Sequence, residues 1–264
     1  MKQKNAIVFL AWGNRFIDEV CSCIAKSKPY ISEYDLILIT DEDSDTSGIE
    51  DQVSRVIHAP FELTGLLRKT EIIKFLPDNY TGFLFLDSDT IVVQDLSLGF
   101  EKAKLHGIAL SPAPHYSLDA FLDFDRIMES EIVPRSGQLQ YNTGVIFFSR
   151  SPRVMEVFDA WGNLGLRHQD FRNDQPFFSL AMEQLAFNPY TLSISYNYRG
   201  IGQAISGDVR IWHSHGKMPL KINDYEWNWP GRRAWPGRMR YPKGKKKTLV
   251  SRVLKELRRL IKKK

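Results

Sequence analysis

Short, nearly uninterrupted apolar runs recur along the chain: Ala6–Ala11, Leu36–Thr40, Phe83–Asp87, Gly107–Ser111, Gly144–Ser149 and Val209–His213. Each is rich in Ile, Val, Leu or Phe and bounded by polar residues, so each reads as a strand buried on both faces rather than one alternating between core and water. Between them lie helical patterns at Arg15–Lys26, Gly65–Leu76, Leu118–Glu129, Pro152–Gly162 and Gln175–Leu185. Buried strands alternating with helices predict an α/β domain with a mostly parallel central sheet flanked by helices. In such sheets ligands gather where strands end at their carboxyl side, so the residues just after each apolar run come first for inspection.

The rest of the composition bounds the answer. At 264 residues the chain can bury a sizeable core, and 43% hydrophobic with 25% charged residues excludes disorder throughout. No internal repeat is present, and no apolar stretch approaches the roughly 18–20 residues that a spanning helix needs. The run at Ala6–Ala11 is too short for a secretory h-region, which predicts a cytoplasmic protein that folds from its first residues. Cys21 and Cys23 sit two apart on a predicted helix with diverging side chains, so they read as ordinary thiols rather than a disulfide or zinc motif.

Charge is unevenly shared. Residues 231–264 carry 15 Lys or Arg and one acid, Glu256, giving +14 of a total formal charge of +5, so residues 1–230 carry −9. Composition shifts toward Trp, Pro, Gly and Arg from Asn223 onward. The predicted organisation is therefore a main domain over 1–222 and an appendage over 223–264. Within the appendage, Leu249, Val250, Val253, Leu254, Leu257, Leu260 and Ile261 make one apolar stripe on a basic helix over about Thr248–Lys262. A basic amphipathic helix preceded by Trp227, Trp229 and Trp235 fits an anionic membrane surface. A solvated tail or nucleic-acid contact is the disfavoured alternative.

The most informative stretch runs from Phe83 to Val93, where an apolar strand ends in Asp87-Ser88-Asp89. Two carboxylates at a strand end can hold a hard cation such as Mg²⁺ or Mn²⁺, and the cation can in turn neutralise a diphosphate. An isolated Asp-x-Asp is also what a solvated turn looks like. Two phosphate chemistries use it. Haloacid-dehalogenase-type phosphatases resemble this string, but they place it on the first strand and follow it with a late acidic pair. Here about 80 residues precede it, and Gly207-Asp208 is followed by Val209-Arg210-Ile211-Trp212 with no second acid.

Further segments favour the other chemistry. Over roughly residues 5–220 the chain resembles the GT-A-fold glycosyltransferases, most closely glycosyltransferase family 8 and its glycogenin-like and lipopolysaccharide-galactosyltransferase-like members. The resemblance is carried, in family order, by the strand Asn5–Ala11, the segment Arg68–Lys74, the Asp-x-Asp strand, Tyr141-Asn142-Thr143-Gly144-Val145, Asn173-Asp174-Gln175-Pro176, and His213-Ser214-His215-Gly216-Lys217-Met218-Pro219-Leu220. It implies a GT-A (Rossmann-like) fold and a metal-dependent, retaining transfer of a hexose from a nucleotide sugar, with UDP the expected nucleotide. It implies that Asp87, Asp89 and His213 hold Mn²⁺ or Mg²⁺. Lys69 and Lys217 would meet the diphosphate, with Ser88 and Ala11 also contacting the donor. Asn142, Asp174 and Gln175 would line the donor sugar and the reacting centre. Departures are Lys69 where the family has Arg, a closed gap between Gly216 and Lys217, an extra His215, and Leu220 in place of Trp.

Several of these residues have a second reading. Asn142 before Thr-Gly is a turn signal. Asp174 could simply sit in the first turn of a helix. His213 could be packed or exposed at a strand end. Asp41, after the strand Leu36–Thr40, could meet the nucleotide or be a solvated loop acid. No nucleophile stands out, which favours a front-face mechanism in which the departing phosphate helps deprotonate the acceptor. The acceptor expected is a glycan or a lipid-linked sugar, with the protein peripheral on the inner face of a membrane. A catalytically silent binding module on the same scaffold is the reading from a different functional class.

Overall fold

The computed structural model describes residues 4–122, 124–133, 137–199 and 208–213. The appendage boundary at 222/223, the basic helix, Lys217 and His215 lie outside them. No helix among the described residues is long and apolar enough to cross a membrane.

Seven strands form the central sheet. They are β1 (Asn5–Leu10), β2 (Asp35–Thr40), β3 (Arg55–His58), β4 (Gly82–Leu86), β6 (Ile108–Ser117), β7 (Leu139–Phe148) and β8 (Tyr190–Thr191), in the spatial order β3-β2-β1-β4-β7-β6-β8. Strands β1 to β4 pair in parallel, as do β6 and β8. Strand β7 alone runs antiparallel to both of its neighbours, β4 and β6. Two short strands, β5 (Thr90–Val92) and β9 (Ile211–His213), make a separate antiparallel ribbon.

Strands β1, β2, β4 and β7 are buried along nearly their whole length, because helices cover both faces. One face packs on α5 (Pro152–Arg167) and α6 (Gln175–Gln184), around Trp161, Phe158 and Phe178. The other packs on α1 (Gly13–Ile31) and α3 (Ser97–His106), around Phe9, Val20 and Phe147. Ser151 caps α5 by accepting from Val154 N at 3.4 Å, and Pro152 opens the helix where its missing N–H costs nothing.

The α/β fold and the mostly parallel sheet expected from the sequence are present. Two predicted helices differ. Gly65–Leu76 is a 3₁₀ turn over Gly65–Glu71 followed by one α-helical turn, α2 (Ile72–Phe75). The Glu71 carboxylate reaches back to accept from Leu63 N at 2.8 Å, which tightens the segment. Leu118–Glu129 is helical only in α4 (Asp125–Ser130). Leu118 N still bonds to Gln138 O, and Leu122 has φ of 49°, which a right-handed helix cannot continue through. Helix α3 and strands β3, β5 and β8 were not expected. Gly99 interrupts the α3 pattern for a packing reason, since a Cβ there would stand 2.4 Å from Cζ of the Phe147 ring.

Candidate metal and donor site

Strand β4 ends at Leu86, and its continuation is held in place by β7. Asp87 N donates to Gly144 O at 2.8 Å, and Thr90 Oγ1 donates to Asp87 O at 2.8 Å, so the Asp87–Asp89 turn is anchored at both ends. The chain then re-enters a strand as β5. Register does the rest: Thr90 pairs with His213 across the β5–β9 ribbon. A histidine about 125 residues further along the chain is thereby set beside the acid pair.

His213 Nε2 lies 3.3 Å from Asp89 Oδ1 and 3.8 Å from Asp87 Oδ2, and His213 is only 3% exposed. One ligand atom from each of the three residues lies within 4.8 Å of the others. Two carboxylates and an imidazole at these separations fit a divalent cation that accepts mixed oxygen and nitrogen ligands, as Mn²⁺ does. The other oxygen of Asp87, Oδ1, is engaged by Lys69 Nζ at 2.9 Å, so Oδ2 is the one turned toward the imidazole. His213 ends its strand buried beside the two carboxylates rather than exposed.

Lys69 is carried on the 3₁₀ turn, which is pressed against α5. A Cβ at Gly162 would stand 2.8 Å from Thr70 Oγ1, and one at Gly165 would overlap Leu67. This contact drives the Lys69 ammonium inward, where it also reaches Asp174 Oδ2 at 3.9 Å. Burial works against the ammonium, but Asp87, Asp174 and Asp89 together outweigh it and raise its pKa above the ordinary lysine value. Three carboxylates facing one ammonium leave an excess of negative charge that a divalent cation would neutralise.

Asp174 stands at the N-cap of α6, yet its side chain makes no capping bond. That task falls to Asn173, whose Oδ1 accepts from Gln175 N at 3.0 Å. The Asp174 carboxylate instead accepts from Thr143 Oγ1 at 3.3 Å and faces Lys69. It is 5% exposed, and burial pushes its pKa up against the pull of Lys69. Asp174 therefore stands at the helix start, as its second reading expects, while its side chain faces the acid cluster instead of capping. Asn142 is not a turn residue, since it lies inside β7 and is 3% exposed. It donates from Nδ2 to Gln175 Oε1 at 2.8 Å. Asn142, Asp174 and Gln175 thus meet on one side of the acid pair.

On the other side a cleft of about 230 Å³ opens toward α1, lined by Trp12, Phe16, Leu66, Lys69, Ser88 and Asp89 among others. An apolar, aromatic wall beside a cation site is a shape that fits a nucleotide. Ser88 donates to Glu19 Oε2 at 2.9 Å. Ala11 is fully buried just past the end of β1, and Trp12 beside it reaches the cleft. Arg68 turns away from the acid pair. It bonds Asp41 Oδ2 at 2.8 Å and lies between the Trp12 and Phe61 rings, 5.0 and 5.2 Å from their centroids. Burial opposes the Asp41 charge, but Ser44 and Arg68 hold its pKa below the usual carboxylate range. A larger hollow, about 770 Å³, lies at the opposite sheet end around Lys4, Tyr34 and Lys104, far from the carboxylate–histidine cluster.

Trp12 and Phe16 in the cleft were not singled out from the sequence, and neither were Gly144 and Asn197. Gly144 has no room for a side chain: a Cβ would lie 2.5 Å from Asp87 Oδ2 and would overlap His213. A glycine inside a strand pattern is the signal that marks such a close approach. Asn197, on a 3₁₀ turn over Ile194–Asn197, is 2% exposed and bonds both His213 and Asn142. Nothing in its local sequence singles it out.

No protein-family model matches the chain, and no curated protein matches it in sequence. Solved structures do match. Mouse xyloside xylosyltransferase 1 superposes with a TM-score of 0.55 at 14% identity, covering 82% of this chain and 99% of that one. The glycosyltransferase GlyE of Streptococcus pneumoniae TIGR4 gives 0.54 at 17% identity, covering 75% of this chain and 47% of its own. The galactosyltransferase LgtC, solved with donor and acceptor sugar analogs, gives 0.53 at 13% identity, covering 79% and 86%. At these identities the likeness shows the fold, and that fold is the GT-A arrangement expected from the sequence.

Proposed function

We propose that the chain is a metal-dependent, retaining glycosyltransferase that moves a hexose from a UDP-sugar to a glycan or lipid-linked acceptor. The observation that carries this reading is the convergence of Asp87, Asp89 and His213 at the carboxyl end of β4, beside an aromatic-walled cleft. The fold is shared with solved glycosyltransferases, and the LgtC structure holds donor and acceptor sugar analogs. A phosphatase built on the same string would close its site with a second acidic pair, whereas here a histidine closes it.

Asp87 Oδ2, Asp89 and His213 Nε2 would hold Mn²⁺ or Mg²⁺. Bound there, the ion would supply Lewis-acid stabilisation of charge on the leaving diphosphate. Lys69 holds a positive charge beside the same carboxylates and would meet the phosphate oxygens. Trp12 and Phe16 would flank the nucleotide and keep water from it. Gln175, Asn142 and Asp174 would orient the donor sugar on the opposite side. A hydroxyl of the acceptor would approach the face from which the phosphate departs, which preserves the anomeric configuration without a protein nucleophile. The basic segment over 223–264 would hold the enzyme on anionic lipid at the inner face of a membrane, near a lipid-linked acceptor. Liposome flotation with and without residues 244–264 tests that part: equal flotation removes it.

A thermal-shift panel of UDP-, GDP- and CMP-linked nucleotides with and without Mn²⁺ tests the central reading. Stabilisation by the UDP compounds that needs the metal is the expected result. Shifts that are identical in EDTA would refute it, and a shift without turnover would identify a silent binding module.

A further inference from the structure

Behind the three potential ligands lies a sealed row of amides whose direction can be deduced from one backbone group. Gly144 N–H donates to Asn142 Oδ1 at 3.0 Å. A backbone N–H can only donate, so the Asn142 atom facing it must be the amide oxygen. The same oxygen lies 2.7 Å from Asn197, which must therefore present its Nδ2 there. The remaining Asn197 atom, Oδ1, faces His213 Nδ1 at 2.7 Å. An amide oxygen has no proton to give, so Nδ1 carries it. In the neutral ring, the form in which an imidazole ligates, the lone pair of His213 is then on Nε2, the nitrogen turned toward Asp89 and Asp87.

We propose that Asn197 is a positioning residue that locks His213 as its Nδ1–H tautomer and so presents Nε2 as the ligand atom, with the Gly144 amide fixing the polarity of the whole row. The metal-binding consequence rests on the reading of the site given above. Asn142, Asn197 and His213 are 3%, 2% and 3% exposed, so water has no access to replace a missing partner. Backbone register holds the pair together. Tyr198, next to Asn197, bridges to Trp212, and His213 N donates to Tyr198 O at 2.8 Å. Imidazole ligands are generally oriented by a partner on their second nitrogen, and loss of that partner costs about 10–100-fold in metal affinity.

The test uses the full chain without nucleotide. In ¹⁵N NMR of metal-free protein, recorded at a pH raised until the imidazole carries a single proton, His213 is assigned by its disappearance in His213→Asn. The expected pattern is a protonated Nδ1 and an unprotonated Nε2. Asn197→Leu should admit the Nε2–H form and weaken Mn²⁺ binding, read by calorimetry, about 10–100-fold. Asn142→Asp retains an oxygen toward both Gly144 and Asn197, so the tautomer should persist there. An Nε2–H tautomer in the unsubstituted protein overturns the proposal, and that measurement decides even if Asn197→Leu fails to fold. So does wild-type Mn²⁺ affinity in a folded Asn197→Leu. If the unsubstituted protein takes up no Mn²⁺, the metal reading fails, while the tautomer measurement still decides the role of Asn197.

Discussion

The two halves of the site are built in different ways. Asp87 and Asp89 belong to one continuous turn at the end of a central strand, and backbone bonds to Gly144 and Thr90 hold it. His213 belongs to a three-residue strand outside the main sheet, held by β5 on one side and Tyr198 on the other, and aimed by a buried amide. The first half is local and supported by the core of the domain. The second is assembled from segments distant in sequence, so its geometry depends on register and on a few side-chain bonds. Changes in the two halves should therefore fail differently.

The largest effect is expected from Asp89→Ala. The turn and the core remain, so the protein should stay folded, but metal-dependent nucleotide stabilisation should vanish and any transfer rate should fall at least about 10²–10³-fold. Full activity in that variant would break the division between the halves, because the acid pair would then be scaffold. Gly144→Ala strikes the point where the halves touch. The added methyl must displace His213 or Asp87, so we expect about 1–3 kcal/mol of lost stability in denaturant titration together with weakened Mn²⁺ binding. Loss of stability with unchanged metal affinity would show that the contact is structural only.

Glu131→Gln should have the smallest effect and none on the metal. Glu131 lies away from both halves, where Arg167, His168 and Gln184 bond its carboxylate. Arg167 leads in lowering its pKa from 4.5 to about 2 in the folded protein. A depressed carboxylate pKa stabilises the fold above the unfolded value and loses that contribution as pH falls through the folded one. The melting temperature of the variant should thus lie below that of the parent at pH 7, and the gap should close between about pH 4.5 and about pH 2. A gap that persists at pH 2 would assign the effect to packing rather than charge.

The contrast also explains what could be read before any coordinates. Asp87 and Asp89 follow an apolar run directly, so strand and ligands share one short window. Asp174, Gln175 and His213 could be picked out because each stands at an end of a recognisable element, and Asn142, inside a strand, only because the order of all four resembles a family. Asn197 sits in a polar 3₁₀ turn whose composition carries no pattern, and its meaning comes from what lies across the ribbon. Strands β5 and β8 span three and two residues, too few for a period to show. Helix α3 was hidden by Gly99, whose reason for being glycine is the Phe147 ring from another strand. Arg68 adjoins Lys69, yet one residue along a 3₁₀ turn is enough to point it at Asp41 instead.

The β5–β9 pairing has a consequence for the life of the newly made chain. The carboxylates emerge from the ribosome about 125 residues before the histidine that completes their cluster. At about 5–20 residues per second, that interval lasts roughly 6–25 s. Throughout it the growing polypeptide offers the two acids without the imidazole that faces them in the folded protein. On the proposed reading of the site, commitment to a metal would thereby be deferred until nearly all of the surrounding sheet has been synthesised.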